Sequence, residues 1–94
     1  MKNIEIGDFK YELVDNYRDA FVFEDFNNKF TDYFYEFDYI VGDWAYGKLR
    51  LKGFFSNKND KCKDYNNIDN VKKYLKENCA YNCKYFILKK YIQN

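Results

Sequence analysis

Between Tyr39 and Phe55 the chain carries two runs that read as strands, Tyr39–Trp44 and Lys48–Phe55, separated only by Ala45-Tyr46-Gly47. Lys48-Leu49-Arg50-Leu51-Lys52 alternates with the two-residue period of a β-strand, and so short a connection can only join antiparallel neighbours. The spacing predicts a hairpin with a three-residue loop whose last residue is left-handed, a conformation Gly47 accepts because it has no Cβ. Lys2–Ile6 and Phe9–Asp15 read as two shorter strands joined at Gly7-Asp8, and Lys84–Tyr91 as a last one.

The segments between these strands have the other period. Phe23, Phe26, Phe30, Tyr33, Phe34 and Phe37 fall within an arc of about 100° on a helix, the width of a buried stripe, with Asp25, Asp32 and Glu36 opposite. This predicts a helix over 23–37 whose aromatics form core. A second helix is expected over Ile68–Asn78, capped by Asn67, with Ile68, Val71, Leu75 and Tyr74 inward and Lys72, Lys73 and Lys76 outward. Ser56–Asn67 is polar and expected to be mostly loop, and Cys79–Cys83 a turn.

The element order is therefore β-β-α-β-β-α-β, an α+β class with a mainly antiparallel sheet. Without the first short strand it becomes the split βαβ order of ferredoxin-like domains, which places both helices on one face of the sheet. The chain is 94 residues long, without repeats or linkers, so residues 1–94 are expected to form one domain. A domain of this size buries only about 60–65% of the surface its unfolded chain exposes, enough for a single core.

Composition removes several functions. There is no His, the commonest general base and metal ligand, so most catalytic triads and zinc hydrolase sites are excluded. There is no Pro, and the four glycines (Gly7, Gly42, Gly47, Gly53) match neither phosphate-binding fingerprint. Nothing points to an organic cofactor, and the chain is read as no enzyme. No run approaches the eighteen apolar residues of a membrane span, mean hydropathy is −0.79, and Met1-Lys2-Asn3-Ile4-Glu5 lacks a signal peptide's apolar region. A cytoplasmic location with no membrane partner is expected. The excess of Lys, Asn, Tyr and Phe reflects codon bias, so the aromatic content of 23% is not by itself a stacking signal.

Charge is unevenly placed. Residues 1–47 hold 4 basic and 11 acidic side chains, a balance of −7, whereas residues 48–94 hold 12 basic and 4 acidic, a balance of +8. Two explanations stand side by side. The acidic first helix and basic second helix could pack as neighbours and neutralise each other, or the second half could present a basic surface to a polyanion.

The run from Asp38 to Phe55, Asp-Tyr-Ile-Val-Gly-Asp-Trp-Ala-Tyr-Gly-Lys-Leu-Arg-Leu-Lys-Gly-Phe-Phe, closely resembles the signature hairpin of the YutD-like family of bacterial proteins. Cys79-Ala80-Tyr81-Asn82-Cys83-Lys84-Tyr85-Phe86 is a second match, and the resemblance extends from about Phe9 to Tyr91. It implies a common fold and a common role, and it brings no catalytic residue, because the family has no assigned activity.

Across a three-residue loop Trp44 would oppose Lys48, Gly42 would oppose Arg50 and Ile40 would oppose Lys52. Trp44, Lys48, Arg50, Lys52 and Phe54 would then share one face, with Tyr39, Val41, Leu49 and Leu51 on the core side. The gap at Gly42 would let the Arg50 guanidinium lie by the Trp44 indole. A shift of one residue at Gly47 would exchange the faces.

Cations interleaved with aromatics on an open sheet are how four-stranded RNA-binding sheets work, and Lys52-Gly53-Phe54-Phe55 faintly echoes the start of their RNP1 pattern, the rest of which is missing. The same lysines could equally just solubilise an exposed strand. Asp38 and Asp43 fall on opposite faces of one strand, which keeps them from sharing a substrate; Asp43 suits a turn acceptor or an Arg50 partner. Cys79 and Cys83, with Cys62 as a third thiol, are candidates for a metal or thiol site, but zinc usually takes four such ligands and the odd count argues against a disulfide framework. Buried, inert cysteines are the simpler account.

The sequence thus points to a non-enzymatic binding module for RNA or a ribonucleoprotein through Trp44, Tyr46, Lys48, Arg50 and Lys52, with charge added by Lys72, Lys73 and Lys76 and the turn set by Gly42, Asp43 and Gly47. The alternative is a protein–protein adaptor or a regulatory protein.

Overall fold

The computed structural model describes residues 2–78 and 83–91. Its strands are β1 (Lys2–Ile6), β2 (Phe9–Tyr17), β3 (Tyr39–Ala45), β4 (Lys48–Phe54) and β5 (Tyr85–Lys90), with helices α1 (Phe23–Lys29) and α2 (Val71–Asn78). The strands form one sheet in the order β1-β2-β5-β3-β4, every neighbouring pair antiparallel. The α+β class and the order of elements are those expected.

The layering is not. One core gathers Tyr11, Phe26, Ile40, Leu49, Phe86 and Leu88, whereas another gathers Val41, Phe54 and Leu75 with Tyr74, Tyr85 and Ile87. Phe26 belongs to α1 and Leu75 to α2, so the helices cover opposite faces of the sheet. The cause is visible in the central strands: Ile40-Val41 and Tyr85-Phe86-Ile87-Leu88 are apolar on both faces, and both must be taken from water. The strand order also departs from the ferredoxin-like one. β5, the last strand, fills the gap between β2 and β3, and β4 lies at the edge.

The expected helix over 23–37 divides. After Lys29 the chain is extended at Phe30 (ψ 134°) and Thr31 (φ −133°, ψ 165°), then makes a 3₁₀ turn over Asp32–Glu36. The break lets Phe37 leave the helical stripe. Its ring covers Gly53, where an added Cβ would lie 2.2–2.6 Å from ring atoms, and contacts Phe55 at a centroid distance of 4.7 Å. The second helix begins as a 3₁₀ turn over Ile68–Asn70, and the Asn67 side chain accepts from the Asp69 N–H at 2.9 Å as an N-cap should. Ser56–Asn67 is largely loop, with a further 3₁₀ turn over Asp64–Asn66.

A candidate binding surface around the central hairpin

The β3–β4 turn has two residues, not three. Ala45 pairs with Lys48, and Tyr46 and Gly47 both take positive φ (54° and 75°), as a type I′ turn requires. Pairing therefore runs Trp44–Leu49, Asp43–Arg50, Gly42–Leu51 and Val41–Lys52. This one-residue shift exchanges the expected faces. Trp44 lies with Leu49 and Leu51 on the α1 side, while Lys48, Arg50 and Lys52 lie on the α2 side with Asp43 and Val41. Trp44 is half-buried, donates Nε1–H to the Ala20 carbonyl at 2.8 Å and carries the Lys84 ammonium 5.1 Å from its ring centre. The Gly42 gap holds the Phe86 ring, whose atoms lie 2.2–2.8 Å from where a Cβ would stand, and no guanidinium.

Arg50 has another partner. Its Nε and Nη2 donate to the two oxygens of Asp43 at 3.1 and 2.7 Å, and Nη2 also donates to the Asn78 carbonyl at 2.6 Å, at the C-terminus of α2. Asp43 is 1% exposed, so its charge is held by this fork. The hydrogen bond to Asp43 holds Arg50 protonated even more firmly than usual. Burial pushes the phenol of the neighbouring Tyr74 up, the Asp43 charge adds to the rise, and Arg50 opposes it. Asp43 is thus the Arg50 partner foreseen, and the pair ties the hairpin to α2. Asp38 also serves structure: it accepts from the Ser56 N–H at 2.8 Å and from Asn59 Nδ2 at 3.1 Å.

Lys52 turns inward over aromatics, its ammonium 5.3 Å from the Phe54 ring centre, 5.7 Å from Tyr65 and 5.2 Å from Tyr74. It shares with Asp64, Tyr65, Lys73, Tyr74 and Glu77 a cleft of about 590 Å³ whose charges balance. Tyr65 and Tyr74 were not singled out in the sequence; for Tyr74 the only signal was its helical phase.

Of the cations picked out in the sequence, Lys48, Lys72, Lys73 and Lys76 are exposed and make no ion pair within 4 Å among the described residues, with Asp64 and Glu77 sharing the cleft of Lys73. They share the α2 side of the sheet. Glu24, Asp25, Asp32 and Glu36 accompany α1 and the 3₁₀ turn that follows it, on the other side. Mutual neutralisation of adjacent helices is thereby corrected, because the sheet stands between them. Ion pairs of 3.4 Å between Glu36 and Lys61, and 3.9 Å between Glu5 and Lys10, lie elsewhere.

Tyr46, at the tip, is 95% exposed. Left-handed backbone costs a residue with a Cβ about 1–2 kcal/mol, and the ring packs against no other ring among the described residues. Cys79 falls outside the described residues. Cys83 is disulfide-bonded, which corrects the expectation of reduced thiols, and Cys62 is free. No cluster of three metal-ligating side chains occurs among the described residues, nor any helix long and apolar enough to cross a membrane.

The family described as "YutD-like: Putative antitoxin YutD-like" matches residues 5–89. The chain belongs to the YutD-like family. It is 44% identical over 87 residues to "Putative antitoxin YutD" of Bacillus subtilis (strain 168), covering 93% of this chain and 96% of the relative. It also superimposes on the solution NMR structure of yutD from B. subtilis with a TM-score of 0.82 at 41% identity, over 99% of this chain and 84% of that one. The hairpin that carried the resemblance in sequence is the same element that ties α2 to the sheet.

Proposed function

We propose that this YutD-like protein is a non-enzymatic binding module that holds an acidic protein partner on its α2 side. The observation that carries the proposal is the segregation of charge: Lys48, Lys72, Lys73 and Lys76 lie unpaired on one side of the sheet, with the carboxylates of α1 behind it. Such a field steers association with an oppositely charged surface and favours correct orientation. The family's description, "Putative antitoxin YutD-like", fits a protein whose work is to bind another.

RNA recognition has less support than the sequence suggested. It would stack bases on rings among the cations; Trp44 faces the other way, Arg50 is engaged by Asp43 and Lys52 by its aromatic neighbours, which leaves Tyr46 as the exposed ring of that face beside Lys48.

The test is purification of the tagged full-length chain from its own cells at about 50 and 200 mM salt, with and without nuclease. One protein is expected at about equal stoichiometry, resistant to nuclease and lost when Lys72, Lys73 and Lys76 are replaced by Glu. Material that disappears with nuclease, or a complex indifferent to the three substitutions, would overturn the proposal in favour of nucleic acid or another surface.

A further inference from the structure

The hairpin tip combines a large ring that is 95% exposed, a left-handed backbone that disfavours any side chain with a Cβ, and cations directly alongside. Lys48 follows the turn, and the Tyr46 phenol lies near enough to Arg50 to contribute to its field. Arg50 is half-exposed and fixed by Asp43 and Asn78, so it presents its remaining surface without losing rotamer freedom. A rigid turn, a projecting tyrosine and a pre-organised arginine have the composition of an interface hot spot, where Tyr and Arg are enriched.

We infer that Tyr46 is the anchor of the interface, inserting into an apolar pocket of the partner protein that is rimmed by carboxylates facing Lys48 and Arg50. The inference rests on the protein-binding proposal and names its point of contact. A ring held in a partner's pocket accounts for a tyrosine where Asn-Gly would build a better turn. Tyr33 is also well exposed, at 62%, but its ring packs edge-on against Phe34 at 5.2 Å, and it sits among the acids of the other side.

Tyr46→Asn separates an anchor from a structural residue, because the two roles predict opposite signs. As an anchor, the substitution raises the melting temperature by about 4 °C while weakening retention of the co-purified protein at least about tenfold. Tyr33→Asn leaves retention unchanged. A photo-crosslinking benzoylphenylalanine at position 46, in cells making the full chain, should join that same protein, and at position 33 it should not.

Tyr46→Asn retaining the partner at unchanged affinity, or crosslinks no stronger at 46 than at 33, would overturn the anchor and leave the protein-binding proposal standing. Absence of any co-purifying protein with the unaltered chain would instead remove that proposal and the anchor with it.

Discussion

Removing the Arg50 side chain tests a polar contact that joins the hairpin to α2. Arg50→Ala deletes the fork to Asp43 and the hydrogen bond to Asn78 while leaving the backbone pairing with Asp43 in place. Hydrogen bonds to charged groups are worth about 1.5–3 kcal/mol each, and losing one partner of a fully buried ion pair costs about 3–5 kcal/mol. The Arg50 side chain is 44% exposed, so water replaces part of what is lost. We therefore expect about 2–3 kcal/mol, which for a domain of this size lowers the melting temperature by about 10–20 °C. Arg50→Lys keeps the charge without the fork and should recover less than half of that. The assay is urea unfolding of the four members of the Asp43→Ala and Arg50→Ala cycle. Each single substitution should be costly and the double less so than their sum, by at least about 1 kcal/mol. Additive losses, or a cost below about 0.5 kcal/mol for Arg50→Ala, would show that the fork is ornamental.

Gly42→Ala should cost about 2–3 kcal/mol by overpacking, because the Phe86 ring over it is fully buried and wedged against Phe21 at 5.0 Å; Phe86→Leu in the same chain should restore much of this in a denaturant titration. Tyr11 is fully buried with no partner for its hydroxyl among the described residues, so Tyr11→Phe should be neutral or stabilise by up to about 1 kcal/mol. Burial, with Tyr35 adding, pushes the Tyr11 phenol far above its ordinary value. The unfolded chain gives up this proton near pH 10 while the folded chain keeps it, so stability is intact below about pH 10 and falls as pH climbs further. Tyr11→Phe should shift alkaline unfolding upward, and an unshifted midpoint would refute the assignment. Asn67→Ala, removing the N-cap, should cost about 1 kcal/mol in thermal unfolding.

Local signals carried much of the fold. The strand-like runs at 39–44 and 48–55, the glycine at position 47 and the cap at Asn67 each act over a few residues, and each produced its element within a residue or two. Asp43 as the partner of Arg50 was one of two roles that its place beside the turn suggested, and only the observed register sets the two side chains opposite each other. Trp44 was misplaced for a reason of a different kind. Whether Ala45 belongs to the loop or to the strand differs by one backbone hydrogen-bonded pair, and Tyr46 is a residue that seldom takes the left-handed conformation, so nothing local marked it as the first turn residue. Because side chains alternate, that single step moved Trp44 away from every cation it had been grouped with.

By itself the sequence determined that this is a small α+β domain of the YutD-like family, with a mid-chain hairpin, two amphipathic helical segments and opposite charge in its two halves. Those properties are written in periodicity, composition and motif, which need no knowledge of neighbours. The tertiary structure alone decided which faces the helices cover, that β5 rather than β4 occupies the sheet centre, and that Lys48, Lys72, Lys73 and Lys76 lie across the sheet from the carboxylates of α1. Each of those outcomes depends on burying apolar surface on both sides of β3 and β5 at once, and that energy exists only when segments far apart in the chain are brought together.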